Sequence, residues 1–221
     1  MNAHVLTLLA LVVTAVGCST TGEKDRAAVD PLTEPVILVA TETPITRDYA
    51  KKVVLVTPLK NGLHFGMILN YPVGMAIGEK YSAQGPMKKV YSLIYLGGPV
   101  LKDEIFLIVR RTENPGGNSF MLAKDIFFIA EYTVAERFID EEITRLSTAS
   151  GTTSWDGALR FVKGFTAWKQ GELKHELGLG AWHVIGADPE IVFRTPTNGL
   201  WEELSQKAER RVPDVPKRLT F

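Results

Sequence analysis

The sequence predicts a single α+β domain with a mixed β-sheet and helices packed around it. Two observations carry that prediction. Strand-length runs of branched and aromatic residues dominate the first half of the chain, and helical spacings alternate with shorter apolar runs in the second. There is no internal repeat, and no G-x-G-x-x-G follows a strand-like run, so a doubly wound nucleotide fold is not expected. At 221 residues the chain holds one domain with a full core, and a second would be crowded.

Pro35 marks the start of the domain. Val36 to Ala40 (VILVA) is a continuous branched run suited to a buried strand, and Val53 to Val56 is another. Asn61-Gly62 is a turn pair, which makes Phe65 to Leu69 the returning strand of a hairpin-like connection. Tyr71-Pro72 ends that strand, because proline cannot donate to a central ladder. Val90 to Leu96 reads as a strand running into the sharp turn Gly97-Gly98-Pro99, and Ile105 to Val109 as the strand after it.

Asn114 to Asn118 (NPGGN) is a loop, and Ile126 to Ala130 a further strand. Thr133 and Glu136 have the spacing of a capping box, and Val134, Phe138, Ile139, Ile143 and Leu146 follow at helical steps. Ser147 to Ser154 is a small polar linker. Ala158, Leu159 and Val162 suggest a helix that stops at Gly164; a second, around Glu172 to Leu177, ends in Gly178 and Gly180. Ala181 to Ile185 reads as a late strand. Asn198 or Thr197 is the expected cap of a final helix containing Leu200, Trp201 and Leu204, and Pro213 and Pro216 mark a loose tail.

Composition removes some function classes. Lys plus Arg and Asp plus Glu both number 25, so the chain lacks the basic surplus of a phosphate-tracking groove and no nucleic-acid partner is expected. Apolar residues make up 45% and charged residues 23%, a balance that suits a folded globular domain. The single cysteine rules out an internal disulfide.

That cysteine follows an export-like leader. Val5 to Val16 is apolar apart from Thr7 and Thr14, too short to span a bilayer but of the length of a signal-peptide core. Residues 1–4 carry no Lys or Arg, so the positive end is the free amine. Ala15-Val16-Gly17-Cys18 resembles the lipobox of bacterial lipoproteins, in which the cysteine thiol receives diacylglycerol and cleavage leaves it as the mature N-terminus. The expected organisation is a signal peptide over 1–17, lipidated Cys18 and a polar tether over 18–34, the domain over 35–212, and a tail over 213–221. The expected destination is the cell envelope, anchored through acyl chains such as palmitate. In a cell with two membranes, Ser19 after the cysteine points to the outer membrane, facing the periplasm.

Several blocks, in order, resemble the AlgH-like family of bacterial proteins. Leu38-Val39-Ala40-Thr41, Tyr49 and Val53 to Val56 are similar to its first block, and Gly66-Met67-Ile68-Leu69-Asn70 with Pro72 to its second. Tyr95-Leu96-Gly97-Gly98-Pro99-Val100 matches its most recognisable signature. Gly164 to Trp168, Gln170 to Leu173, Glu176 and Ala181-Trp182 resemble a later block, and Phe193 and Trp201 its closing aromatics. The resemblance covers roughly Pro35 to Glu209. It implies a compact domain with a bifurcated or partly barrel-like sheet wrapped by helices, and mostly cytoplasmic relatives of unsettled biochemical role, named for a link to exopolysaccharide gene regulation. Tyr71 stands where the family has arginine, Leu59 and Val109 where histidines are frequent, and Leu63-His64 in place of Gly-Ala. Any site those residues serve in relatives is not intact here, as expected of a divergent, exported branch.

Specific chemistries are poorly supported. Glu172 and Glu176 share a helical face, but His175 is rotated away and Gly178 and Gly180 interrupt the path to His183; a solvated helix face is expected and no metal. There is no Gly-x-Ser-x-Gly elbow, Ser92, Ser119 and Ser154 lack a supporting context, and NPGGN lacks a Walker lysine. Gly97-Gly98-Pro99 is read first as a tight corner between strands, although amides at such a turn can line a small anion or peptide site. If they do, the family blocks place Asn70 and Tyr95 in the same cleft.

Trp155, Trp168, Trp182 and Trp201 are read as core anchors rather than a glycan platform. Lys207, Arg210, Arg211, Lys217 and Arg218 outnumber Glu209 and Asp214, enough to graze anionic lipid. The expected protein is a membrane-tethered, non-catalytic binding or accessory module without a cofactor, its partners the membrane and another envelope protein. The alternatives are a small hydrolase or metal-dependent enzyme acting on envelope material, and a cytoplasmic regulator if the chain is not exported.

Overall fold

The computed structural model describes residues 33–42, 47–80, 85–86, 90, 92–148 and 158–210. The leader, Cys18, the tether up to residue 32, Trp155 and the tail from residue 211 lie outside the described residues. The strands are β1 (Val36–Ala40), β2 (Val53–Pro58), β3 (His64–Ile68), β4 (Pro72–Ala76), β5 (Leu93–Leu96), β6 (Val100–Arg110), β7 (Ser119–Ala123), β8 (Ile126–Ile129), β9 (Leu159–Trp168) and β10 (Trp182–Gly186). The helices are α1 (Ile77–Lys80), α2 (Tyr132–Thr148), α3 (Glu172–Gly178), α4 (Pro189–Val192) and α5 (Leu200–Glu209).

The strands form one sheet in the order β10-β1-β2-β3-β9-β6-β8-β7, with β4 paired to β5 and β5 to β9. Every pairing is antiparallel except β5 with β9. The sheet curls until its β7 edge meets β2 and β3. The Thr57 hydroxyl of β2 donates to the Leu122 carbonyl of β7 at 2.7 Å, and Phe65 of β3 meets Phe120 of β7 edge-on with ring centres 5.3 Å apart. The result is a half-barrel.

This curl explains why β1, β2 and β3 read as unbroken apolar runs despite being antiparallel: both of their faces are covered. Inside, Phe65, Phe106, Phe128 and Phe165 pack together, and Phe193, Leu200, Trp201 and Leu204 from the C-terminal segment close the opening. Outside, Val134, Phe138 and Ile139 of α2 cover Leu107, Val109 and Phe161, while Leu173 of α3 packs with Trp168, Trp182, Val54 and Val56. Each fully buried side chain of this kind contributes about 1.5–3 kcal/mol against exposure.

Several expectations are corrected. The segment expected as a helix through Ala158, Leu159 and Val162 is β9, which continues through Gly164 to Trp168. A strand buried on both faces lacks polar alternation, so the apolar pair three residues apart imitated a helical step. β4 and β7 were not anticipated: β4 opens on Pro72, and β7 alternates buried Leu122 with Met121 at 59% exposure. The capping box does not form. Helix α2 already includes Tyr132, the Thr133 hydroxyl donates to Glu131, and Glu136 accepts from the Tyr132 hydroxyl. The cap of α5 is Gly199 in a left-handed conformation, not Asn198 or Thr197.

Candidate functional site

The Gly97-Gly98-Pro99 turn is where the chain crosses β9. Residues 161–163 of β9 pair with β5 along one edge and with β6 along the other. The three turn residues carry the chain over the strand at Gly164. A Cβ on Gly97 would overlap the Gly164 carbonyl oxygen, one on Gly98 the Phe165 carbonyl, and one on Gly164, whose φ is +70°, the Gly98 carbonyl oxygen. Backbone therefore lies on backbone, and only glycine fits. The Gly97 amide donates to the Lys163 carbonyl at 2.8 Å and its carbonyl accepts from Ile68 at 2.9 Å, so both groups serve the sheet. Pro99 is exposed.

The crossing brings Tyr95 beside the segment that carries Asn70. Leu96 donates to the Tyr71 carbonyl at 2.8 Å, and Pro72 pairs with Tyr95. The Asn70 side chain accepts from the Val53 amide at 2.9 Å and donates to the Lys51 carbonyl at 2.8 Å, fixing the Lys51 turn at a φ of +54°.

Tyr95 is 3% exposed and lies under a residue that the sequence reading did not single out, Arg160. Alternation along β9 puts Arg160 on the inner face with Val162, between the outward Leu159 and Phe161. It is 2% exposed. Its guanidinium donates to the Leu69 carbonyl at 2.7 Å and to the Arg194 carbonyl, its centre lies 4.0 Å from the Tyr95 ring centre, and Nε has no partner. Burial lowers its pKa from the ordinary guanidinium value, and Tyr95 opposes that shift. No carboxylate is among its hydrogen-bond partners in the described residues. The signal was there in Leu-Arg-Phe-Val, a lone cation in an apolar run.

Beginning at Asn70, next to Leu69, a cleft of about 270 Å³ opens, lined by Lys51, Asn70, Pro72, residues 197–199, Trp201 and Glu202. Trp201 anchors it from beneath, donating its indole N–H to the Ala40 carbonyl at 2.7 Å. Lys51 Nζ lies 3.6 Å from the Glu202 carboxylate and 5.1 Å from the Trp201 ring centre. Of the sequence-predicted residues, Asn70 lines this cleft; Tyr95, Gly97, Gly98 and Pro99 do not.

A second polar cluster sits under α3. Glu176 Oε2 accepts from the Trp168 indole at 3.0 Å and the Trp182 indole at 2.7 Å. Tyr49 stacks on Trp168, meets Trp182 edge-on and shares a hydrogen bond with Thr166. These tryptophans are core residues at 3% and 7% exposure. His175 is exposed, and no group of three His, Cys, Asp or Glu side chains able to hold a metal occurs among the described residues.

The curled sheet with its crossing point, plugged by a C-terminal helix, defines a class of small single-domain α+β proteins. The chain belongs to the AlgH-like family, whose model matches residues 37–212. It is 27% identical to a UPF0301 protein of Pseudoalteromonas translucida over 62% of this chain and 70% of that one. It is 24% identical to a UPF0301 protein of Chlamydia muridarum over 77% and 85%. Among solved structures it resembles the AlgH protein from Pseudomonas aeruginosa, with a TM-score of 0.56 at 20% identity, covering 86% of this chain and 92% of that one. A protein from Corynebacterium diphtheriae gives 0.58 at 19%, covering 85% and 90%. These two likenesses establish the fold.

Proposed function

We propose that this AlgH-like protein is a lipoprotein, tethered to a membrane through Cys18, whose domain acts as a non-catalytic binding module in the cell envelope. The observation that carries the reading is the place of the only cysteine. It follows a signal-length apolar run and two small residues, and a polar stretch separates it from Pro35, where the domain starts. The cleft beside Asn70 supports the binding part. It combines an Asn70 side chain held by two backbone bonds with the charged side chains of Lys51 and Glu202, polar groups of the kind that orient a ligand.

The test is membrane fractionation with lipid labelling of the wild type beside Cys18→Ala. The expected result is that the wild type takes up label and sediments with membranes while the variant does neither. If both stay soluble, unlabelled and uncleaved, the tether is wrong and a cytoplasmic regulatory role takes its place.

A further inference from the structure

We infer that the cleft at the start of α5 binds a small organic carboxylate; this deepens the binding-module reading above and rests on it. The helix has ten residues and begins without a side-chain cap. The Leu200 amide bonds to the Thr197 carbonyl and the Glu203 amide to the Gly199 carbonyl, but the Trp201 and Glu202 amides between them have no backbone acceptor among the described residues. Both residues line the cleft. Two adjacent free amides at a helix N-terminus are arranged to hold an anion.

Thr197 is the independent observation. It lines the same cleft, is 6% exposed, and its hydroxyl makes no hydrogen bond among the described residues. With the rest of the residue buried, an unpaired hydroxyl there is open to a ligand from the cleft. An anion seated on the two amides would supply the missing acceptor.

Charge narrows the ligand. Arg160 holds the carbonyls of Leu69, next to the cleft residue Asn70, and of Arg194, three residues before Thr197. Lys51, which lines the cleft, pairs with Glu202, and Arg194 pairs with Glu203, which leaves Arg160 as the nearby cation without a carboxylate partner among the described residues. That surplus matches a monoanionic carboxylate better than a phosphate dianion. The volume of about 270 Å³ leaves room for an organic body, and Pro72 and the Trp201 ring supply apolar wall for it. Glu202 pairs with Lys51, but it is 52% exposed and can turn to water as the ligand takes its place.

The experiment is an amide NMR titration of the full chain with benzoate, run in parallel with benzamide, its uncharged isostere, and with inorganic phosphate. Benzoate is expected to shift Trp201, Glu202 and Thr197 saturably while benzamide leaves them still. Thr197→Val and Lys51→Met should each weaken benzoate about tenfold, the effect of removing a hydrogen bond to a charged group. Thr197→Ser should restore the loss seen in the valine variant, and Glu202→Gln should tighten binding. Equal shifts from benzamide, saturation by phosphate alone, or benzoate shifts confined to another surface would each overturn the inference. Lipid labelling at Cys18 is read on the same protein. Lost benzoate binding with retained label removes this site alone, and lost label with retained binding removes the tether alone.

Discussion

Arg160 and Tyr95 form a buried cation–π pair, the guanidinium centre 4.0 Å from the ring centre, on the inner face of the half-barrel. The pair does two things at once. The ring stabilises a charge that has no carboxylate partner among the described residues, and the guanidinium clamps the end of β3 at Leu69 to the C-terminal segment at Arg194. Burying a cation costs free energy, and removing it would recover that cost. Against this stand two carbonyls that would lose their donor, at about 1–3 kcal/mol each.

We expect the carbonyls to decide the sign. Arg160→Met should destabilise the protein by about 2–3 kcal/mol in urea denaturation. It should also speed hydrogen exchange at Leu200, whose acceptor Thr197 lies just beyond the clamp. Arg160→Lys should fail to rescue, because a single ammonium cannot reproduce the planar fork. Unchanged or increased stability in the methionine variant would mean that desolvation outweighs the clamp.

The crossing at Gly164 makes a sharper prediction. Gly97→Ala or Gly164→Ala drives a methyl into a carbonyl oxygen of the other backbone segment. Neither segment can retreat, since Gly97 is bonded to both Lys163 and Ile68. Each variant should lose at least about 3 kcal/mol, and Gly164→Ala more, because its φ of +70° adds backbone strain. Pro99→Ala, at an exposed position, should cost little. The thermal midpoints of the three variants beside wild type check the order.

Much of this architecture was legible in the sequence. The buried runs at Val36–Ala40 and Val53–Val56, the Asn61-Gly62 connection and the glycine-terminated helix α3 all stand where the patterns put them. The family blocks carried the curled sheet. What misled was β9, because a strand covered on both faces gives no period of two, and Gly164 looked like a helix stop when it is a crossing. Of the cleft expected at Asn70, Tyr95 and the glycine turn, only Asn70 lines the opening; Lys51, Thr197 and Glu202 come from segments far apart in sequence and meet it only through the fold.

Glu176 joins two tryptophans that the sequence presented as separate core residues. One carboxylate oxygen accepts both indole N–H groups. Glu176→Gln keeps an acceptor oxygen and should cost about 1 kcal/mol. Glu176→Leu leaves two donors unpaired and should cost about 2–4 kcal/mol. Denaturation followed by tryptophan fluorescence separates the two, and equal losses would show that packing, not hydrogen bonding, is what Glu176 provides.

Beneath that pair, Tyr49 gives the cluster a pH dependence. Burial raises the pKa of its hydroxyl above 10.0; the hydrogen bond to Thr166 works against this, and the carboxylates of Glu176, Glu172 and Asp48 add to the rise. A raised acid pKa means that the folded state holds the proton more tightly than the unfolded chain. The contribution is therefore complete below pH 10.0 and is lost as pH climbs through the folded-state value. Tyr49→Phe lacks both the ionisation and the bond to Thr166, so it should be less stable than wild type at neutral pH. Above the unfolded pKa the wild type should lose stability faster than the variant, by at most about 1.4 kcal/mol per pH unit, and the gap between them should narrow. The other tyrosines and the lysines titrate in both proteins and cancel in the difference. Parallel curves for the two proteins across that range would show that Tyr49 ionises as freely in the folded protein as in the unfolded chain.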